Sequence, residues 1–153
     1  MRDQVSVDVE ASPAAVFALV SDVTRIGEFS PETFEAEWLD GAAEPAVGAR
    51  FRGHVKRNGR GPIYWTTCTV TACEPEKEFA FTVDIGGSPV NTWGYRLAPN
   101  GDGTTLTEWF ELRPTLANRL YWAAAGRWRG RTNRRGLSET LTRIKAAAEV
   151  PPT

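Results

Sequence analysis

Six stretches with the alternation of a half-buried strand follow one another from Thr33 to Arg113, each separated from the next by turn-forming residues. Strands joined this closely pair as antiparallel neighbours, because a parallel pair needs a crossover of a dozen or more residues. Glu35 to Leu39 opens the series, and Gly41 to Gly48 is loop. In Ala49 to Lys56, Phe51, Gly53 and Val55 stand opposite Arg52, His54 and Lys56, and Asn58-Gly59 with Gly61-Pro62 makes the next turn. Ile63 to Cys73 is a long strand rich in threonine and aromatic residues. Glu74 to Lys77 then turns the chain into Phe79, Phe81, Val83 and Ile85. Gly86-Gly87-Ser88-Pro89 leads into Asn91 to Leu97, with Trp93, Tyr95 and Leu97 on one side, and Pro99 to Gly103 leads into Thr104 to Arg113. An earlier alternation, Val5, Val7 and Val9 against Ser6, Asp8 and Glu10, brings the total to about seven strands.

One face of such a meander must be covered, and one long amphipathic element is available to cover it. Within Thr132 to Glu149, Leu137, Leu141, Ile144 and Ala148 fall at i, i+4, i+7 and i+11, a single apolar stripe. Continued backward, the stripe passes Asn133, Gly130, Gly126 and Trp122, so the inward face tapers from large residues to small ones. A taper of this kind either lets another backbone approach closely or leaves a space for a ligand, and both readings stand. After the first strand, Ser12-Pro13 caps a short helix carrying Val16, Phe17, Leu19 and Val20. Asp22 and Thr24 break it, and Ile26 to Phe29 forms one more turn before Pro31. The expected fold is therefore α+β: a curved antiparallel sheet of about seven strands gripping a long C-terminal helix, with two short helices after the first strand.

At 153 residues the chain fits a single domain, placed at residues 1–149 with a frayed tail at 150–153. Lys plus Arg is 18 and Asp plus Glu is 19, a net charge of -1 that gives no reason to expect nucleic acid as a partner. The charge is unevenly spread. Arg113, Arg119, Arg127, Arg129, Arg131, Arg134 and Arg135 lie between Glu111 and Glu139 with no acid among them, whereas Glu28, Glu32, Glu35, Glu37, Asp40 and Glu44 crowd an early segment. Leu116, Leu120, Tyr121, Trp122 and Trp128 interleave with the arginines, which reads as a short helix leading into the long one. Such a segment either docks on an anionic membrane or an acidic carrier protein, or is a solvated helix face balanced by the acidic segment. The second reading is preferred. Cys68 and Cys73 do not form a CxxC pair and are expected to be reduced. The charged opening MRDQVSVDVE and the lack of a long apolar run add to the expectation of a cytoplasmic protein.

Several stretches resemble the START-like, helix-grip superfamily, which includes polyketide cyclases and dehydrases, lipid-transfer domains and plant pollen-allergen relatives. Ala11 to Phe17 is similar to the opening of its first helix, and Val47 to Phe51 to its glycine turn into a strand. Trp65 to Val70 with Glu74-Pro75 resembles the middle of its meander, Gly103 to Glu108 its last strand, and Thr140-Leu141 with Ile144-Lys145 its closing helix. The resemblance implies an internal, mostly apolar cavity between sheet and helix.

Few residues offer chemistry. His54 is the single histidine, and its neighbours Arg52 and Lys56 place it on a solvent face. No pattern suggests a metal site, a nucleophile triad, a phosphate-binding glycine loop or a dinucleotide fingerprint, so no metal and no cofactor are expected. Glu108 shares a face with Leu106, Phe110 and Leu112. If that face meets the helix, an unpaired carboxylate would be buried, its pKa raised, and the group suited to proton transfer. Alternatively, Trp109 marks the inward face, or Arg134 or Tyr95 pairs with the carboxylate structurally. Tyr64, Tyr95 and Asn133 are the other polar groups available to orient a ligand. The aromatic residues Phe51, Trp65, Phe79, Phe81, Trp93 and Phe110, with Tyr95, Trp122, Gly126, Gly130, Asn133 and Leu137, are the expected lining, which suits a flat, fused-ring or sterol-like molecule. Three functions follow: binding of a hydrophobic small molecule, cofactor-independent polyketide cyclase or dehydrase chemistry with Glu108 as acid/base, and docking through the basic 113–135 segment.

Overall fold

Strand β1 (Arg2–Val9) is followed by helix α1 (Pro13–Ser21), a 3-10 helix (Val23–Glu28), strands β2 (Thr33–Trp38), β3 (Arg50–Lys56), β4 (Ile63–Glu74), β5 (Glu78–Ile85), β6 (Ser88–Asn100) and β7 (Gly103–Leu112), and helix α2 (Leu116–Ala148). The structure, a computed structural model, describes residues 2–56 and 62–150, without the side chains at 118, 121, 122 and 125–130. The seven strands form one antiparallel sheet in the order β1-β7-β6-β5-β4-β3-β2, curved but not closed, so that β1 and β2 are its edges. β2 through β7 is the expected meander. β1 returns beside β7, pairing Val5 with Glu108 and Val9 with Thr104.

The local chemistry explains the breaks. The Ser12 side chain accepts a hydrogen bond from the Ala15 amide at 3.2 Å with Pro13 at the first helical position, and Asp22 then caps the 3-10 helix through Thr24. Between β5 and β6, Gly86 and Gly87 both have positive φ, the conformation a two-residue hairpin needs in order to match the strand twist. α2 is one continuous helix of 33 residues rather than a short helix leading into a longer one, despite the roughly 1 kcal/mol that each interior glycine costs. Its C-terminal stripe packs as the periodicity predicts. Leu137, Leu141 and Ile144 are buried to 1% exposure or less, each gaining about 2 kcal/mol from burial. Near its N-terminus, Leu116 and Leu120 are exposed.

Among the described side chains, four acids of the early segment, Glu28, Glu35, Glu37 and Asp40, pair within their own region. Across the β2–β3 ladder Glu35 meets His54 and Glu37 meets Arg52. Glu28 pairs with Arg25, Asp40 with Arg50, and Arg134 with Asp3. Antiparallel register puts opposite charges side by side on the outer face, which is a shorter route to pairing than across the molecule. No described helix is long and apolar enough to cross a membrane.

Candidate functional site

The β5–β6–β7 register stacks three cross-strand rows on the concave face. They are Phe79–Tyr95–Glu108, then Phe81–Trp93–Phe110, then Val83–Asn91–Leu112. The rows follow from the period of two along each strand, which sends alternate side chains to the same face. Between them and α2 lies a space of about 160 Å³, comparable to cavities that enclose a single aromatic ring, but only partly enclosed, so that a longer occupant can extend beyond it. The sheet contributes Phe51, Phe81, Trp93, Tyr95 and Glu108 to its walls, α2 contributes Asn133, Gly136, Leu137 and Thr140, and Ile26 and Pro31 bound it from the segment before β2.

Glu108 is 5% exposed. Loss of water pushes its carboxyl up to about 8, outweighing the opposing pull of a hydrogen bond from Tyr95, its direct cross-strand partner. Its Oε2 is buried without a hydrogen-bond partner. Burial, with the neighbouring carboxylate, raises the Tyr95 hydroxyl well above the usual tyrosine range. At neutral pH the pair is therefore mostly a neutral acid beside a neutral phenol, able to donate or accept a proton inside an apolar enclosure. Arg134 is engaged with Asp3 at 2.9 Å. Trp109 lies on the opposite face, its ring filling the space over Gly94, where a Cβ would sit 2.4 Å from the indole. That packing fixes the inward direction of Glu108.

Of the expected lining, Phe51, Phe81, Trp93, Tyr95, Asn133 and Leu137 meet around this space with Glu108. Phe110 packs on Trp93 with ring centroids 4.6 Å apart, and Phe79 is sealed in the core beside Phe81, so both support the wall from outside the space. Trp65 is a correction. The pleat of β4 turns Tyr64, Thr66 and Cys68 inward, which sends Trp65 to the outer face at 42% exposure. There it stacks on His54 at 4.1 Å, with the Arg52 guanidinium 4.1 Å from its ring centroid. His54 faces outward as expected, yet it is flanked rather than free, with Phe34 on its other side at 4.4 Å. Trp122, Gly126 and Gly130 lie outside the residues whose side chains are described.

Asn91 and Gly136 also line the space and were not singled out from the sequence. Asn91 lies one step before Trp93 in the alternation that marked Trp93 and Tyr95. Gly136 lies one turn before Thr140, and only Pro31 Cγ, at 4.0 Å, would meet a Cβ there. Among the described residues no cluster of three or more histidine, cysteine or acidic side chains is arranged to hold a metal ion.

Residues 3–149 match the family described as polyketide cyclase / dehydrase and lipid transport. The Polyketide_cyc-like protein Cgl2372 of Corynebacterium glutamicum is 32% identical over 97% of this chain and 91% of its own, with a TM-score of 0.60. At lower identity the fold is shared with DR_A0006 of Deinococcus radiodurans (17%, covering 95% of each chain, TM-score 0.65). It is also shared with the di-domain ARO/CYC StfQ of the steffimycin biosynthetic pathway (14%, covering 97% of this chain and 50% of that one, TM-score 0.74). No curated protein matches the chain.

Proposed function

This chain belongs to the polyketide cyclase / dehydrase and lipid transport family, and on that premise we propose that it binds a hydrophobic, aromatic or polycyclic small molecule between the sheet and α2. The observation that carries the reading is the space itself, walled by Phe51, Phe81 and Trp93 and edged by a few polar groups. Rings in the wall present faces and edges to a flat occupant, and the polar groups fix its orientation. Native mass spectrometry of the purified protein, followed by denaturing extraction, tests this directly and is expected to release an aromatic or lipid species. For apo protein, a binder at a hundred times its Kd stabilises by about 2.7 kcal/mol, a rise in Tm of roughly 5–10 °C. A clean apo mass with no shift from polyketide-like, sterol or fatty-acid panels would overturn the proposal.

A second reading is favoured by Glu108, whose Oε2 is buried without a partner beside Tyr95. In this reading the protein is a cofactor-independent cyclase or dehydrase in which Glu108 moves a proton to or from the bound molecule and Tyr95 or Asn133 orients it. Solved relatives include an ARO/CYC from a biosynthetic pathway, in keeping with that chemistry. Glu108→Gln keeps the shape and removes the acid, so turnover should be lost while binding persists. Full turnover by the variant would remove Glu108 from the reaction. The free Cys68 and Cys73 fit a reducing, cytoplasmic setting, which belongs to the same proposal.

A further inference from the structure

Two buried side-chain oxygens that touch no donor belong to residues lining the space, Glu108 Oε2 and Asn91 Oδ1. They stand two rows apart on one wall of it, and the lining continues past the Asn91 row to Gly53–Thr66 and Val55–Tyr64. Asn91 pairs with Leu112 across the β6–β7 ladder, so four residues of β7 separate the Asn91 row from Glu108, a span of roughly 13 Å at strand rise. The row between them, Phe81–Trp93–Phe110, is wholly apolar. A buried acceptor without a donor is costly, and native proteins carry few of them. Two such acceptors facing one space, with an aromatic row between, specify an occupant's shape. Both side chains end in a soft torsion, so either oxygen can turn toward an occupant without moving the backbone.

We propose that this space selects its occupant by length, binding a flat apolar body with polar groups at both ends, one reaching Glu108 beside Tyr95 and the other reaching Asn91. The inference rests on the small-molecule reading above and adds a ruler to it. Trp93 lies along the body, and Asn91 becomes the residue that tells a doubly polar occupant from a singly polar one. Hydroxyl groups suit both ends because a hydroxyl donates to an acceptor and accepts from a protonated carboxyl.

The test uses linear two- and three-ring aromatic diols with hydroxyls at opposite ends, their isomers with both hydroxyls on one terminal ring, and the corresponding mono-ols, by titration calorimetry on the whole protein. The isomers share composition and hydrophobic area, so they differ only in where the second hydroxyl points. One net hydrogen bond gained by a buried acceptor predicts that the far-end diol binds about five- to tenfold more tightly than its same-ring isomer at one ring length. In Asn91→Leu the two isomers should bind alike. Equal binding of both isomers by the natural protein at every length would overturn the ruler and leave the cavity standing. Binding of none of these compounds, together with an apo mass, would remove the small-molecule reading and this inference with it.

Discussion

The two faces of the sheet carry the same kinds of residue and use them differently. On the convex face Phe34, His54, Trp65 and Arg52 stack on one another, and the acids among them have partners, Glu35 with His54 and Glu37 with Arg52. On the concave face Phe51, Phe81 and Trp93 stand around a space, and Glu108 has only Tyr95. Glu35 and Glu37 on the outside are half exposed and paired, so each keeps both water and a partner. The acid on the inside has lost the water and gained one hydrogen bond, so its neutral form is favoured. A carboxylate's role here is set by the face its strand position gives it.

The largest difference to test is in packing. Phe79 is fully buried and its loss leaves a cavity, so Phe79→Ala should cost about 3–5 kcal/mol in urea unfolding. Trp65→Ala removes a larger ring from the outer face, yet should cost no more than about 1 kcal/mol, since the ring is already 42% exposed. Equal costs would mean that the outer stack is a second core and that the contrast between the faces is wrong.

Next comes the pH dependence. Glu108 titrates at 4.5 in the unfolded chain and near 8 in the folded one. Below 4.5 both states are protonated. Between there and about 8 the unfolded chain releases the proton while the native state keeps it, so stability falls as pH rises, and above about 8 the loss levels off. The loss is of the order of a few kcal/mol. Glu108→Gln should remove this slope and be the more stable protein at pH 9. A wild-type curve that stays flat from pH 5 to 8 would show that the carboxylate is solvated or paired.

These contrasts also mark what the residues disclosed in advance. Strand alternation predicted the meander and tied Glu108 to Leu106 and Phe110 through the period of two along β7, but left open whether that face or the face of Trp109 pointed inward. The apolar stripe of α2 predicted its packed end. Alternation failed for Trp65 because β4 is aromatic on both faces, Tyr64 inward and Trp65 outward, so hydrophobicity alone does not choose between them. Asn91 escaped notice because a polar residue at the start of the expected strand looks like turn chemistry, although the alternation of Trp93 and Tyr95 reaches it. Composition counts charges along the chain and is blind to the ladder across which Glu35 and Glu37 find partners.

The smallest predicted effect examines the outer pair most closely. Glu35 Oε1 lies 2.7 Å from His54 Nδ1, with side-chain exposures of 57% for the acid and 21% for the histidine. An ion pair reached by water is worth little, because solvent screens the attraction and ordering the side chains costs entropy. The double-mutant cycle of Glu35→Gln and His54→Gln at moderate ionic strength should therefore give a coupling of about 0.5 kcal/mol or less, weakening further with salt. Among the described residues, Phe34 and Trp65 stand against the imidazole and could shield it. A coupling above about 1.5 kcal/mol that persists in high salt would mean that the rings exclude water from the pair, as the concave face does from Glu108. The divide between the faces would then be one of pairing rather than of solvent.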